Sequence, residues 1–147
     1  MIRQAGPQDV RFLRDMLKHA YHWRLNEDPD LPVARYVNNF GRPGDAGLIA
    51  WEKGPVGAAW YRLFPAREPG FGFVDEQTPE LTIAVVPGRR GGGLGGQLME
   101  ALLERARAEG HTAISLSAEA DHTGLYQRHG FETVEQKDGT VTMRKQL

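Results

Sequence analysis

The chain has 147 residues, of which 40% are hydrophobic and 25% charged, a balance that predicts one globular domain over residues 1–147 with a continuous core. Its formal net charge of -1, with both signs interspersed along the sequence, excludes a broad basic face and sets nucleic acid aside as a partner. It contains no cysteine, which excludes disulfides, thiolate metal sites and an acyl-cysteine intermediate. No apolar run approaches the roughly 20 residues of a membrane span, so the expectation is a soluble, cytoplasmic protein with no membrane partner.

In chain order, Ile2 to Ala5 reads as a first strand, and Gly6-Pro7-Gln8-Asp9 punctuates the entry to a helix. Val10, Leu13, Met16, Leu17 and Ala20 recur at helical spacing. Tyr21 to Pro32 is polar and carries Pro29 and Pro32, the pattern of a loop, with a short second helix expected around Val33 to Asn39. Leu48 to Trp51 and Val56 to Phe64 flank Glu52-Lys53-Gly54-Pro55 as an antiparallel hairpin would. Pro65 to Pro79 is a long connection holding Gly70 and Gly72, and loops of that length tend to be functional or mobile.

Leu81 to Val86 is apolar throughout apart from Thr82, as befits a central strand covered on both faces, and Pro87-Gly88 ends it. Leu94, Leu98, Ala101, Leu102 and Ala106 form the stripe of a helix that Gly110 should stop. Ile114, Leu116 and Ala118 alternate with Ser115 and Ser117, which predicts a strand with the serines on its outer face. A short helix from about Asp121 to His129 is closed by Gly130, and two final strands flank Lys137-Asp138-Gly139. The fold class is α/β in the α+β sense, with a mixed, mostly antiparallel sheet and one strand-helix-strand unit at its centre.

The chemistry concentrates after the Leu81 to Val86 strand. Gly91, Gly92, Gly93, Gly95 and Gly96 stand at a strand-to-helix junction, where backbone N–H groups of the first helical turn are free to donate to a phosphate and side chains would obstruct it. Arg89 and Arg90 add two cations at the rim. Gly91, Gly93 and Gly96 also satisfy the dinucleotide pattern G-x-G-x-x-G, with Glu119 at a distance suited to a ribose-binding acid, so an NAD(P)-dependent oxidoreductase is an alternative. Pro87 to Arg90 intervene where that turn should be tight, and half the chain precedes it without a βαβ pattern. No Lys-Ser or Lys-Thr follows the glycines, which disfavours a phosphate-loop nucleotidase.

Val85-Val86-Pro87-Gly88-Arg89-Arg90-Gly91-Gly92-Gly93-Leu94-Gly95 resembles the coenzyme signature of the GNAT superfamily of N-acetyltransferases, Gln/Arg-x-x-Gly-x-Gly/Ala, with Arg90, Gly93 and Gly95 at its defining positions. Leu125-Tyr126-Gln127-Arg128-His129-Gly130-Phe131 is similar to that family's L-Y-x-x-x-G-F segment, and the opening through Asp9 to its first strand and helix entry. The Asn that often precedes the Tyr is absent; Ala118-Glu119-Ala120-Asp121-His122 stands there instead. The resemblance implies a sheet of about seven strands with helices on both faces and a splayed central pair. It further implies acetyl-coenzyme A as cofactor, bound by the backbone near Ala84, Val85 and Val86, by Arg89 and Arg90, and by Gly91, Gly92, Gly93, Leu94, Gly95 and Gly96.

On that resemblance the expected reaction is transfer of an acetyl group to a primary amine of a small molecule or protein, direct within a ternary complex since no cysteine is present. Tyr126 is the candidate acid, because a phenol of reference pKa about 10 is protonated at neutral pH. Glu80, at the start of the signature strand, is the candidate base; a solvated strand-end Glu is the competing reading. A non-catalytic acyl-coenzyme A sensor is a further alternative, and a homodimer is compatible with the resemblance. Glu27, Asp28, Asp30, Asp75 and Glu76 would suit a cationic acceptor, and Tyr21, Trp23, Trp60 and Phe71 could wall its pocket, although solvated acids and core aromatics weigh more. His19 and His22 share a helix face without a third ligand, so no metal is expected.

Overall fold

A computed structural model describes residues 1–21 and 33–147. Seven strands form one sheet: β1 (Ile2–Gln4), β2 (Ala46–Trp51), β3 (Pro55–Arg62), β4 (Glu80–Val85), β5 (Ala113–Glu119), β6 (Glu132–Lys137) and β7 (Thr140–Gln146), in the order β1-β2-β3-β4-β5-β7-β6. Every neighbouring pair is antiparallel except β4 and β5. That parallel pair is in register only at Glu80 and Ser115, whereas β3 and β4 pair over six residues, so β4 and β5 diverge beyond their first contact. This is the expected splay, and the single parallel pair is incompatible with the all-βαβ sheet of a dinucleotide fold.

Period-2 alternation in the central strands assigns each residue to one of two faces. On one side, α1 (Val10–Ala20) buries Leu13, Met16 and Leu17 against Ile49, Ala58, Trp60 and Ala84. On the other, α2 (Leu94–Ala108) buries Leu98, Met99, Leu102, Leu103 and Ala106 against Ala59, Leu81, Ile83 and Leu116. Entry to α1 is fixed by Asp9, whose carboxylate accepts from the Gly6 N–H at 2.9 Å and forks onto Arg3 at 2.8 and 3.0 Å. The Arg3 guanidinium, first, and that Gly6 N–H hold the Asp9 carboxyl below the usual range. In the β6–β7 turn Asp138 and Gly139 both take positive φ, 51° and 81°, as a two-residue turn matched to strand twist requires.

Three expectations shift. The helix expected over Val33 to Asn39 is a single 3-10 turn, Val33–Tyr36, whose Arg35 carbonyl accepts from Arg62, as does that of Asn38 just beyond it. The last helix, α3, covers only Gly124–Arg128. Ser115 and Ser117 are not on an outer face: they are 0% and 8% exposed, because the side of β5 away from α2 is covered by the 65–79 connection and by Tyr21 and Tyr126.

Candidate acyl-transfer site

The glycine turn feeds α2 with Gly91 and Gly93 in the left-handed region, φ 86° and 81°, which a side chain would strain. A Cβ built at Gly91, Gly92 or Gly93 meets no atom within 4 Å, so the turn faces open space. The first intrahelical bond runs from the Gln97 N–H to the Gly93 carbonyl at 3.1 Å, leaving the N–H groups of Leu94, Gly95 and Gly96 ahead of the ladder. Open approach and oriented donors are what an anionic phosphate needs.

Arg90 and Arg89 diverge. The Arg90 Nε donates to the Val85 carbonyl at 3.3 Å and the side chain borders the cleft, while Arg89 turns away to an exposed ion pair with Glu52 on the β2–β3 turn. Val86 is tied by its N–H to the Val56 carbonyl at 2.9 Å. A Cβ at Gly95 would lie 3.7 Å from Leu125, an ordinary van der Waals contact, so α3 sits beside the helix start.

The divergence of β4 and β5 opens a cleft of about 460 Å³. Ala84, Val85, Arg90, Gly95 and Tyr126 border it together with residues that the sequence reading had not placed there, His19 and Ser117 among them. Tyr126 stands edge-on to Phe131, centroids 6.2 Å apart, and burial pushes its phenol up to about 12. It is therefore a neutral hydroxyl throughout the physiological range.

Glu80 is a buried residue rather than a solvated strand end. It is 1% exposed; its Oε2 accepts from the Tyr36 hydroxyl and from the Gly72 N–H at 3.0 Å. The Tyr36 oxygen in turn accepts the Phe71 N–H at 2.7 Å, and Tyr21 hydrogen-bonds Thr82 Oγ1 at 3.1 Å. Burial, then the neighbouring Glu80 charge, raises both the Tyr21 and the Tyr36 phenols, so neither ionises near neutrality. Tyr36 and Thr82 went unnoticed in the sequence because a lone Tyr beside prolines and a Thr in an apolar strand carry no pattern.

Gly70 and Gly72 build this cage by close approach. A Cβ on Gly72 would fall 2.5 Å from the Leu116 carbonyl carbon, and one on Gly70 would fall 2.7 Å from the Tyr36 hydroxyl. Gly72 also accepts the Ser115 hydroxyl at 2.8 Å. Gly72→Ala is therefore expected to cost about 1–3 kcal/mol, since backbone rather than a flexible side chain must yield. Urea titration measures the loss, and an unchanged midpoint would show that the loop moves freely.

The acceptor-pocket expectations divide. Asp75 accepts the Gln77 N–H and Glu76 the Ala66 N–H, so both close turns. Trp60 is 1% exposed and donates to the Tyr36 carbonyl, a core role, whereas the Tyr21 and Phe71 rings meet at a tilt, centroids 5.4 Å apart, beside the Glu80 cage. Glu27, Asp28, Asp30, Trp23 and His22 lie outside the described residues. Among the described residues no three His, Cys, Asp or Glu side chains gather as metal ligands, and no helix is long and apolar enough to cross a membrane.

Three known proteins are similar to this chain. The L-methionine sulfoximine/L-methionine sulfone acetyltransferase of Pseudomonas paraeruginosa is 47% identical over 58 residues, 37% of this chain and 34% of that protein. The crystal structure of a ribosomal-protein-alanine N-acetyltransferase from Brucella melitensis superposes with a TM-score of 0.72 at 29% identity, covering 100% of this chain and 99% of the other. A phosphinothricin acetyltransferase from Sinorhizobium meliloti, solved in complex with AcCoA, superposes at 0.67 with 21% identity, covering 100% and 88%. The model of the acetyltransferase (GNAT) family matches residues 10–131, and with the splayed β4–β5 pair and the glycine turn in place, the chain belongs to that family.

Proposed function

We propose that this protein is an N-acetyltransferase that moves an acetyl group from acetyl-coenzyme A to a primary amine by direct transfer within a ternary complex. The observation that carries the reading is the cleft between β4 and β5, which joins an open phosphate-ready helix start at one end to a neutral phenol inside. Acetyl-coenzyme A supplies the acetyl group, already activated as a thioester. Leu94, Gly95 and Gly96 would hold its diphosphate through their N–H groups, with Arg90 adding charge, and the β4 backbone at Ala84 to Val86 would align the arm beside it. Arg89, paired with Glu52, contributes less than Arg90.

Tyr126 then donates a proton to the departing thiolate, whose thiol pKa of about 8.5 lies well below that of the phenol. Glu80 receives the proton that the amine gives up. A β4 N–H near Val85 is the oxyanion donor. Direct transfer is the route because no cysteine is present to carry the acyl group. A primary amine as acceptor is supported by the named activities of two similar proteins, an L-methionine sulfoximine/L-methionine sulfone acetyltransferase and a ribosomal-protein-alanine N-acetyltransferase.

Thermal denaturation tests the cofactor. A ligand that binds only the folded chain stabilises it by about 2.7 kcal/mol at a hundred times its Kd, several degrees for a domain of this size. Acetyl-coenzyme A is expected to raise Tm by about 5–10 °C. Stabilisation by NADH and not by acetyl-coenzyme A would sink the reading.

A further inference from the structure

Ser117 carries a hydroxyl that the fold leaves unused. It is 8% exposed, and its Oγ has no hydrogen-bond partner among the described residues. Ser115, two residues earlier on the same face of β5, gives its hydroxyl to the Gly72 carbonyl at 2.8 Å. A buried hydroxyl without a partner forfeits its bonds to water and gains none in return, so an apolar residue would serve the core better at 117.

Its position assigns the partner. β4 and β5 are in register at Glu80 and Ser115, so Thr82 and Ser117 stand one alternation further along, where the strands part. Ser117 and Tyr126 border the cleft, and both also border a small niche beside it that Tyr21 and Thr82 share. Tyr21 and Thr82 are bonded to each other at 3.1 Å, whereas burial alone, with no hydrogen bond, shifts the Tyr126 phenol. Two hydroxyls therefore face a thioester held in the cleft, Ser117 from β5 and Tyr126 from α3. A thioester has two atoms that gather charge as it reacts, the sulfur and the carbonyl oxygen. Tyr126, the stronger acid, suits the sulfur, which keeps a proton. Ser117, the weaker acid, suits the oxygen, which holds its charge only in passing.

Resting on the reading of the cleft as an acetyl-coenzyme A site, we infer that Ser117 is a catalytic residue whose hydroxyl donates a hydrogen bond to the carbonyl oxygen of the bound thioester, as a second oxyanion donor opposite the β4 N–H near Val85. The acceptor reacts as the neutral amine, its ammonium proton already left in solvent. As the C–N bond forms, a carbonyl electron pair moves onto the oxygen between the two donors, and it returns as the C–S bond breaks. The nitrogen keeps one proton in the amide and gives the other to Glu80, while the sulfur takes one from Tyr126. One proton passed from the carboxyl to the phenolate through solvent restores both. Ser117 keeps its own proton throughout, so atoms and charge balance.

Infrared difference spectra of bound acetyl-coenzyme A, labelled with heavy carbon at its carbonyl, read the contact without turnover. Loss of a hydrogen bond stiffens a carbonyl, so Ser117→Ala should move the band to higher wavenumber, while Ser115→Ala leaves it in place. Ser117→Ala should not lower Tm, since no bond within the protein is lost. With L-methionine sulfoximine or an alanyl peptide amide as acceptor, its kcat for thiol release should fall on the order of 10²-fold, and that of Ser117→Thr, which keeps the hydroxyl, no more than about threefold. KM for acetyl-coenzyme A should stay within about twofold, because a neutral carbonyl gains little over water and the charged oxygen gains much.

A band and a kcat both unchanged in Ser117→Ala would overturn the inference. So would a raised amine KM at constant kcat, which would make the hydroxyl a contact to the acceptor, and so would a slow variant with an unmoved band, which would put the hydroxyl on another group. Should Ser117→Ala fold poorly, Ser117→Cys, which keeps the shape with a weak donor, has to show the same band shift and the same loss of kcat. A Ser117-dependent band in a wild type that releases no thiol with either acceptor would overturn the transfer reading and leave the contact standing. Absence of any bound band would overturn the acetyl-coenzyme A reading and the inference with it.

Discussion

Asp45→Ala is expected to destabilise the protein by about 3–5 kcal/mol, because it strands a buried guanidinium. Arg62 and Asp45 are 1% and 2% exposed and meet through two hydrogen bonds, Nε to Oδ1 at 3.0 Å and a terminal nitrogen to Oδ2 at 2.6 Å. The other terminal nitrogen of Arg62 donates to the Arg35 and Asn38 carbonyls at 2.9 and 2.8 Å. Asp45 in turn accepts the Gly41 and Arg42 N–H groups, both at 3.0 Å. Removing the carboxylate therefore leaves a desolvated charge and two backbone donors without their acceptor.

That loss should reach the site. Arg62 clasps the carbonyls on both sides of Tyr36, and Tyr36 is the donor to Glu80. Asp45→Ala is thus expected to slow turnover as well as to lower Tm by about 10 °C or more. Asp45→Asn, which keeps an acceptor for the Gly41 and Arg42 N–H groups but not the charge, should fall between. Urea unfolding at constant m reads the difference. A loss under about 1 kcal/mol would mean that the pair is screened as surface pairs are.

The parts of this architecture that obey a short repeat were legible in the sequence. The stripe from Leu94 to Ala106, the apolar β4 run and the Lys53-Gly54 and Asp138-Gly139 turns each obey a local rule, and each stands where that rule put it. The glycine turn was legible for the same reason, since Gly91 and Gly93 hold dihedral angles that other residues avoid. Tyr126 was reached through the segment Leu125 to Phe131, and it does border the cleft.

What escaped depends on contacts between distant segments. Glu80 resembles a solvated strand end until Tyr36, 44 residues earlier, and Gly72, eight residues earlier, enclose it. Ser115 and Ser117 alternate with apolar residues as an exposed strand face would, but alternation reports only that two faces differ. It does not say that the polar one meets water. Here it meets tyrosines and the Gly72 loop, so the serines became interior hydroxyls.

Tyr126→Phe is expected to lower kcat by on the order of 10²-fold while leaving the fold and acetyl-coenzyme A affinity intact. The ring packs edge-on against Phe131, and phenylalanine keeps that contact, so only the hydroxyl is removed. The pH profile then separates an acid from a packing residue. Burial raises the phenol to about 12, so the donating form persists to well above its usual range and is lost only as pH approaches that value. Wild-type kcat should accordingly show no basic limb due to Tyr126 below about pH 10. If Tyr126→Phe turns over within twofold of wild type, the hydroxyl is not the proton source, and the leaving thiolate must be stabilised by the β4 backbone and solvent alone.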